Sequence, residues 1–339
     1  MLLVSLLLVA TAVSQDRKHS GDHYPVGCLL PSEGALTRKA FTGFYSKREK
    51  QASWVAEKLS RKPKVVDASK YSVQSDAEID ARFEADLSSF KQSHSYIPGL
   101  LASAELHCEN EEDCLSVHLS SNMVPMHRLT AATEWKRLSR FMYEVIGLKE
   151  VNEVYSVSGS IFRGKNGELD LDVVGNMPVP TDIFRVVRVV TKSCKTYSEA
   201  FLVPNSPLIK EPSLKELEEE IEVIEKHTGL DFACMRGDDR ICGKDGLVNC
   251  TQSFSSDTQR VTRLLFRVWM AKNVNELRNS FMLVVDGGII KRQEIIPAFQ
   301  RRAAALGHTG DLIDFLFPTT SNNYTTAKYK ESLKKALTV

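Results

Sequence analysis

The chain has 339 residues, 42% hydrophobic and 26% charged, enough to bury a substantial core in one large domain or two moderate ones. Its formal net charge of +1 excludes the global basic excess typical of phosphate-binding proteins, so any contact with nucleic acid has to be local.

Leu2 to Val13 is apolar apart from Ser5 and Thr11, and Ala12-Val13-Ser14 forms a small-x-small cleavage signature before Gln15. The run is about 12 residues, whereas a membrane span takes roughly 20. Residues 1–14 therefore read as a secretory signal peptide, although no Lys or Arg precedes the apolar run. A mitochondrial address is the alternative, but such presequences are Arg-rich and amphipathic. Residues 15–34 read as a polar lead-in.

Beyond it, Ala40–Tyr45 and Ala52–Leu59 read as strands. Ile79, Phe83, Leu87 and Phe90 recur at helical spacing within Asp76–Phe90. Glu109 to Asp113 reads as a solvated loop, and Leu115–Leu119 alternates as a strand. Thr133–Ile146 places Trp135, Leu138, Phe141, Met142 and Val145 on one helical face. Glu150–Phe162, Ile183–Thr191 and Glu199–Val203 are β-rich. Pro212-Ser213 caps a predicted helix over Leu214–Thr228, stopped by Gly229. From Arg260 to Val339 there are 13 Lys or Arg against 6 Asp or Glu. Helical patterns dominate there, over Thr258–Ala271, Arg292–Leu306 and Thr326–Leu337.

No two of the seven cysteines stand in a CxxC pair, which argues against a structural zinc site. Cys242 and Cys250 bracket a loop in which Gly243 and Gly246 allow a tight turn, so an oxidising compartment favours a disulfide there. Cys108 with Cys114 is a second local pair; buried free thiols are the alternative. Asn249 and Asn323 head N-glycosylation sequons, which fit a secreted surface.

Several segments, in order and at matching spacing, resemble the DNA/RNA non-specific endonuclease family in its endonuclease G and exo/endonuclease G branch. Ala52-Ser-Trp-Val-Ala-Glu-Lys-Leu is similar to the family's WV-x-E-x-L element, and Ser120-Ser-Asn122-Met-Val-Pro125 to its LSN-x-x-PQ. Trp135 falls at the family's spacing. Val179-Pro-Thr-Asp-Ile-Phe-Arg-Val, Phe201-Leu-Val-Pro-Asn and Glu222-Val-Ile-Glu-Lys-His-Thr-Gly-Leu-Asp-Phe match three later elements. The closing Tyr329-Lys-Glu-Ser-Leu-Lys-Lys-Ala-Leu resembles, more faintly, the terminal helix of the exo/endonuclease G branch. The resemblance implies an α+β, ββα-metal (His-Me finger) fold over residues 35–240, with a central antiparallel sheet flanked by helices. A disulfide loop and a mainly helical C-terminal extension then occupy residues 241–339.

In the family a His is the general base, an Asn holds a divalent metal, and a Glu and an Arg support them. The positions matching the DRGH signature are Ile97, Pro98, Gly99 and Leu100; the glycine alone is kept. Leu100 cannot take a proton. The metal-ligand position is Ala131, and the supporting positions are Ser139 and Tyr143. Asn122 is retained. His107, His118 and His127 lie nearby as substitutes for the base.

The expectation is a secreted DNA/RNA non-specific endonuclease-like pseudoenzyme that acts by binding nucleic acid or a protein partner. The alternative is an active endonuclease with a rearranged site. The first needs no cofactor; the second needs Mg2+ or Mn2+. Many active relatives are dimers, which makes a homodimer a further expectation.

Overall fold

The computed structural model describes residues 23, 25, 34–64, 66–164, 171–208, 212–242, 246–250, 264, 265, 267, 268, 271–286, 288, 290, 295–308, 310–318 and 324–337. The predicted signal peptide, most of the lead-in, Asn323 and most of the helix expected over Thr258–Ala271 lie outside these residues. The chain divides into two units, Met1–Phe254 and Ser255–Val339.

A seven-stranded sheet forms the centre of the first unit. Its strands are β1 (Ala35–Thr37), β2 (Thr42–Ser46) and β3 (Gln51–Leu59), then β6 (Val151–Ile161), β7 (Asp182–Thr191), β8 (Thr196–Pro204) and β9 (Asp239–Arg240), in that spatial order. All neighbours are antiparallel except β8 and β9. Between β3 and β6 the chain builds a separate hairpin, β4 (Tyr96–Leu100) with β5 (Met123–His127). Two short helices, α1 (Ala104–His107) and α2 (Glu111–Val117), lie within that hairpin's connection. Helix α3 (Lys136–Ile146) follows the hairpin, and α4 (Ile221–Thr228) follows β8.

The alternation of β3, β6 and β7 sends their side chains to two cores. Val55, Leu59, Val154, Val187 and Val189 pack with Leu138, Phe141, Met142 and Val145 of α3 and with Val124 and Met126 of the hairpin. Trp54, Ala56, Val157, Phe184 and Val186 pack on the other face with Ile221 and Ile224 of α4 and with Phe232 and Met235.

Four expected segments take other forms. Asp76–Phe90 forms two 3₁₀ turns, Ala81–Phe83 and Leu87–Lys91, instead of one helix. Asp80 and Asp86 accept bonds from Arg82 N at 3.0 Å and Ser88 N at 3.1 Å, and such local capping competes with a continuous helix. The strand expected over Leu115–Leu119 and the loop expected over Glu109–Asp113 are largely replaced by α2. Asn110 Oδ1 caps it at Asp113 N, 3.1 Å away, and three acidic residues occupy its first turn, where the helix dipole favours them. Cys114 and Val117, three apart, are buried while Leu115 is exposed, so the period is helical. The helix expected over Leu214–Thr228 breaks at Glu218, where extended backbone pairs with Phe201. A capping box (Ser213 N to Glu216 Oε2, 2.6 Å; Glu216 N to Ser213 Oγ, 3.2 Å) opens a single 3₁₀ turn there. Gly229 ends α4 in the left-handed region at φ 71°, as expected from the sequence.

Cys108 and Cys114 form a disulfide, as do Cys242 and Cys250, and Cys234 is also disulfide-bonded. Among the described residues Cys194 is the free, exposed cysteine. The loop closed by Cys242 and Cys250 belongs to the first unit, and both cysteines join its main core.

The second unit contains helices α5 (Val274–Asp286), α6 (Ile295–Ala305), α7 (Leu312–Leu316) and α8 (Tyr324–Leu337). Phe281 anchors its core, edge-on to both Phe299 and Phe317. No described helix is long and apolar enough to cross a membrane.

Candidate functional site

The hairpin and α3 form a ββα unit against the sheet. Register places Gly99 opposite Val124 and Leu100 opposite Met123. A Cβ on Gly99 would lie 2.4 Å from Met126 Cβ, so close packing of the two strands demands glycine at this position. The indole Nε1 of Trp135 donates to Leu100 O at 2.8 Å and ties the end of β4 to the start of α3.

Asn122 is fully buried at the other end of this unit. Its Oδ1 accepts from Ala102 N at 2.8 Å, and its Nδ2 donates to Ala102 O at 2.9 Å and Val117 O at 2.8 Å. Both ends of the amide are thus used in bracing the turn after β4. Ser120 and Ser121 are also buried; Ser121 Oγ donates to Asp76, which Arg38 in turn holds with bonds of 2.7 and 3.0 Å.

The residues that the sequence resemblance assigns to the reactive positions do not converge on a shared polar centre. Leu100 and Ala131 are half-buried and apolar. Ile97 and Pro98 lie in β4 opposite Met126 and Pro125. Ala131 opens a π-helical turn, Ala131–Trp135, of a kind that often marks functional positions. Ser139 is buried and turned inward; its Oγ donates to Trp135 O at 3.3 Å and accepts from Arg185 at 3.3 Å. Tyr143 is packed against the core, with Lys62 Nζ 4.2 Å from its ring centroid.

The three nearby histidines are each tied into the fold. His118 ends α2, with Nδ1 bonded to Cys114 O at 2.7 Å. His127 ends β5, and its Nδ1 accepts from Leu129 N at 3.3 Å. Burial, with the neighbouring Arg128 charge, pushes the His127 imidazole down to about 4. His107 turns towards the sheet, its Nε2 2.7 Å from Glu57 Oε2.

That last contact belongs to a buried charged network. Glu57 on β3 faces Ser156 on β6, and Arg185 on β7 faces Ser158, so all four side chains lie on the sheet face beneath the ββα unit. Arg185 is fully buried. It donates to Leu101 O at 2.6 Å and Ser158 Oγ at 2.9 Å, lies 3.5 Å from Glu57, and stacks 4.2 Å from the Trp135 ring centroid. Burial would raise the Glu57 carboxyl, but the His107 bond and the Arg185 charge outweigh it and hold the group below its ordinary value. Glu57 and Arg185 lie inside segments that carry the family resemblance, yet nothing in the local sequence pairs them. Charged residues at inward-facing strand positions are the available signal.

A divalent metal does not fit the residues at the position expected to hold one. Ala131 offers no donor, Asn122 spends both ends of its amide internally, and the Ser139 hydroxyl points into the core. Among the described residues, Glu218, Cys242 and Cys250 are the one group of three ligand-type side chains close enough to share an ion, and those cysteines are disulfide-bonded.

An antiparallel sheet with a ββα unit leaning on it is the architecture of the ββα-metal nucleases. The comparisons agree: residues 19–239 match the DNA/RNA non-specific endonuclease family, and the chain belongs to it. It is 28% identical over 231 residues to a nuclease of Syncephalastrum racemosum, covering 63% of this chain and 71% of that one. It is 27% identical over 199 residues to the mitochondrial nuclease EXOG of Xenopus laevis, covering 56% and 55% of the two chains. Among solved structures it superposes on the EndoG/EndoGI complex, described as showing the mechanism of EndoG inhibition, with a TM-score of 0.54. That likeness spans 60% of this chain and 86% of the other at 21% identity.

Proposed function

We propose that this chain is a pseudoenzyme of the nuclease family, acting by binding nucleic acid or a protein partner without hydrolysing phosphodiester bonds at the inherited position. One observation supports the reading: around Leu100 and Ala131, which the resemblance assigns to the base and metal-ligand positions, the polar groups are committed to holding the fold. A general base needs a lone pair within reach of the attacking water, and Leu100 has none. The EndoG/EndoGI complex concerns EndoG inhibition, which supports a protein partner here as readily as nucleic acid. The apolar start of the chain and the disulfides support secretion. The relatives named as mitochondrial support the alternative compartment. Sequencing the N-terminus of the mature chain after cell fractionation decides between the two.

The deciding assay incubates purified mature chain with plasmid DNA and with RNA, in Mg2+ or Mn2+ and in chelator. The reading expects no chelator-sensitive cleavage. Cleavage abolished by His107→Ala, His118→Ala or His127→Ala would instead establish an active enzyme with a rearranged site. Binding titrated against salt then separates partners, because phosphate contacts weaken steeply as salt rises.

A further inference from the structure

Glu218, Cys242 and Cys250 bring a carboxylate oxygen and two sulfurs within 4.8 Å of one another, in the first unit and outside the ββα unit. Strand β8 sets both sides of this cluster. Phe201 pairs with the extended backbone at Glu218, while Glu199 Oε2 accepts from Cys242 N at 3.2 Å and Ser198 O accepts from Ile241 N at 3.4 Å. The two cysteines are 4% and 1% exposed, and the Glu218 side chain is 12% exposed. Glu218 Oε2 accepts from Lys215, but Oε1 is buried with no hydrogen-bond partner among the described residues. A buried carboxylate oxygen without a donor or a cation is costly, and the disulfide beside it offers neither.

We propose that, once the Cys242–Cys250 disulfide is reduced, these three side chains bind a zinc ion, so that one loop is closed by a disulfide in an oxidising compartment and by metal in a reducing one. A dithiol reductant passes two electrons and two protons to the sulfurs and becomes a disulfide itself. Zinc then displaces the two thiol protons to solvent, binds the thiolates, and gives Glu218 Oε1 the positive charge it lacks. With bonds of about 2.3 Å to sulfur and about 2.0 Å to oxygen, donors around a tetrahedral zinc stand about 3.5–3.8 Å apart, so the carboxylate needs little movement. The sulfurs must part. The Cα atoms are 5.2 Å apart, and rotation about the Cα–Cβ bonds separates the sulfurs without moving the backbone. Two thiolates favour zinc over magnesium or calcium, which take oxygen ligands. Three protein ligands leave the fourth position to water. No CxxC spacing marks the site, because its third ligand comes from a separate segment paired to β8.

Cobalt and zinc titrations of the full chain test this, in metal-free buffer with and without a trialkylphosphine reductant. Tetrahedral cobalt held by thiolates shows a charge-transfer band and intense visible bands, which zinc bleaches. The reduced chain is expected to bind a single equivalent that depends on Cys242, and the oxidised chain to lack it. Cys242→Ser should abolish that equivalent. Glu218→Gln, which keeps both sulfurs and the side-chain volume, should weaken it by about tenfold or more. Cys108→Ser should change neither. Circular dichroism follows the fold of each form. The proposal is overturned by a reduced chain that binds no cobalt or zinc, or by equal binding in the oxidised chain. Binding unchanged in Cys242→Ser or in Glu218→Gln overturns it as well. So does a reduced chain that unfolds and does not refold with zinc, since the three ligands meet only in the fold. No nuclease activity is read in this experiment, so its result is independent of the pseudoenzyme reading.

Discussion

Replacing Arg185 with Met is the sharpest test of how the ββα unit is held to the sheet. The guanidinium has no exposed surface and touches four parts of the unit: Glu57 on β3, Ser158 on β6, the Leu101 carbonyl after β4, and Trp135 and Ser139 near the start of α3. Met fills most of its volume but leaves the Glu57 carboxylate buried with only His107 and Ser156. Breaking a buried pair from one side costs about 3–5 kcal/mol. At about 2–4 °C per kcal/mol for a unit of this size, the melting temperature should fall by about 6–20 °C. The pH dependence carries a sign. Glu57 has a depressed folded pKa in the parent, so its contribution is present above the unfolded value of about 4.3 and lost as pH falls. The gap between parent and Arg185→Met should therefore narrow as pH falls, because without Arg185 the buried Glu57 carboxyl protonates at a higher pH in the variant than in the parent. Thermal and urea unfolding by circular dichroism read both effects. A Glu57→Leu, Arg185→Met double change should cost less than the sum of its singles, because no orphaned charge remains. A single-variant cost under about 1 kcal/mol, or an additive double, would refute the picture of a charge pair sustained by mutual burial.

Three further outcomes follow from the same structure. Gly99→Ala should destabilise the protein by about 1–3 kcal/mol through the clash with Met126; a neutral result in urea unfolding would show that the hairpin opens freely. Burial, with the nearby Glu218 charge, pushes the Glu199 carboxyl up to about 7 while Cys242 N and Arg240 oppose the shift. The folded state then holds a proton that the unfolded state has released, so stability should decline by about 3 kcal/mol between about pH 4.5 and 7. Glu199→Gln should flatten that slope, and an unchanged slope would assign it to another group. Leu100→His, Ala131→Asn and Ser139→Glu together should restore at most weak Mg2+-dependent cleavage of plasmid DNA. Pro98 still shapes β4, and a glutamate at position 139 would have to leave the buried place where Ser139 now meets Arg185. Efficient cleavage would mean that the scaffold had kept its catalytic geometry intact.

By itself the sequence determined the elements whose signal is local and periodic: the strand pattern around Trp54 and Val55, the apolar face of α3 and the Gly229 stop. Motif spacing also carried the family resemblance, because such spacing survives when individual side chains are exchanged; the assignment of Leu100, Ala131 and Ser139 to reactive positions stays an expectation of that resemblance. Asp80 and Asp86 read as helix interior although they cap separate turns, since only the fold decides whether a short polar side chain serves its own backbone. Leu115–Leu119 read as a strand because its alternation over a few residues fits two periods; burial of Val117 together with the preceding Cys114 selects the helical one. Tertiary structure alone decided that Glu57, His107, Ser139 and Arg185 meet. They come from four elements up to 128 positions apart, and no local pattern encodes which charged side chains will face each other across a sheet. Desolvation made that meeting obligatory. Once burial removed water from Glu57 and Arg185, the Glu57 charge came to rest on His107 and on Arg185, and the Arg185 charge on Glu57 and the polar atoms around it.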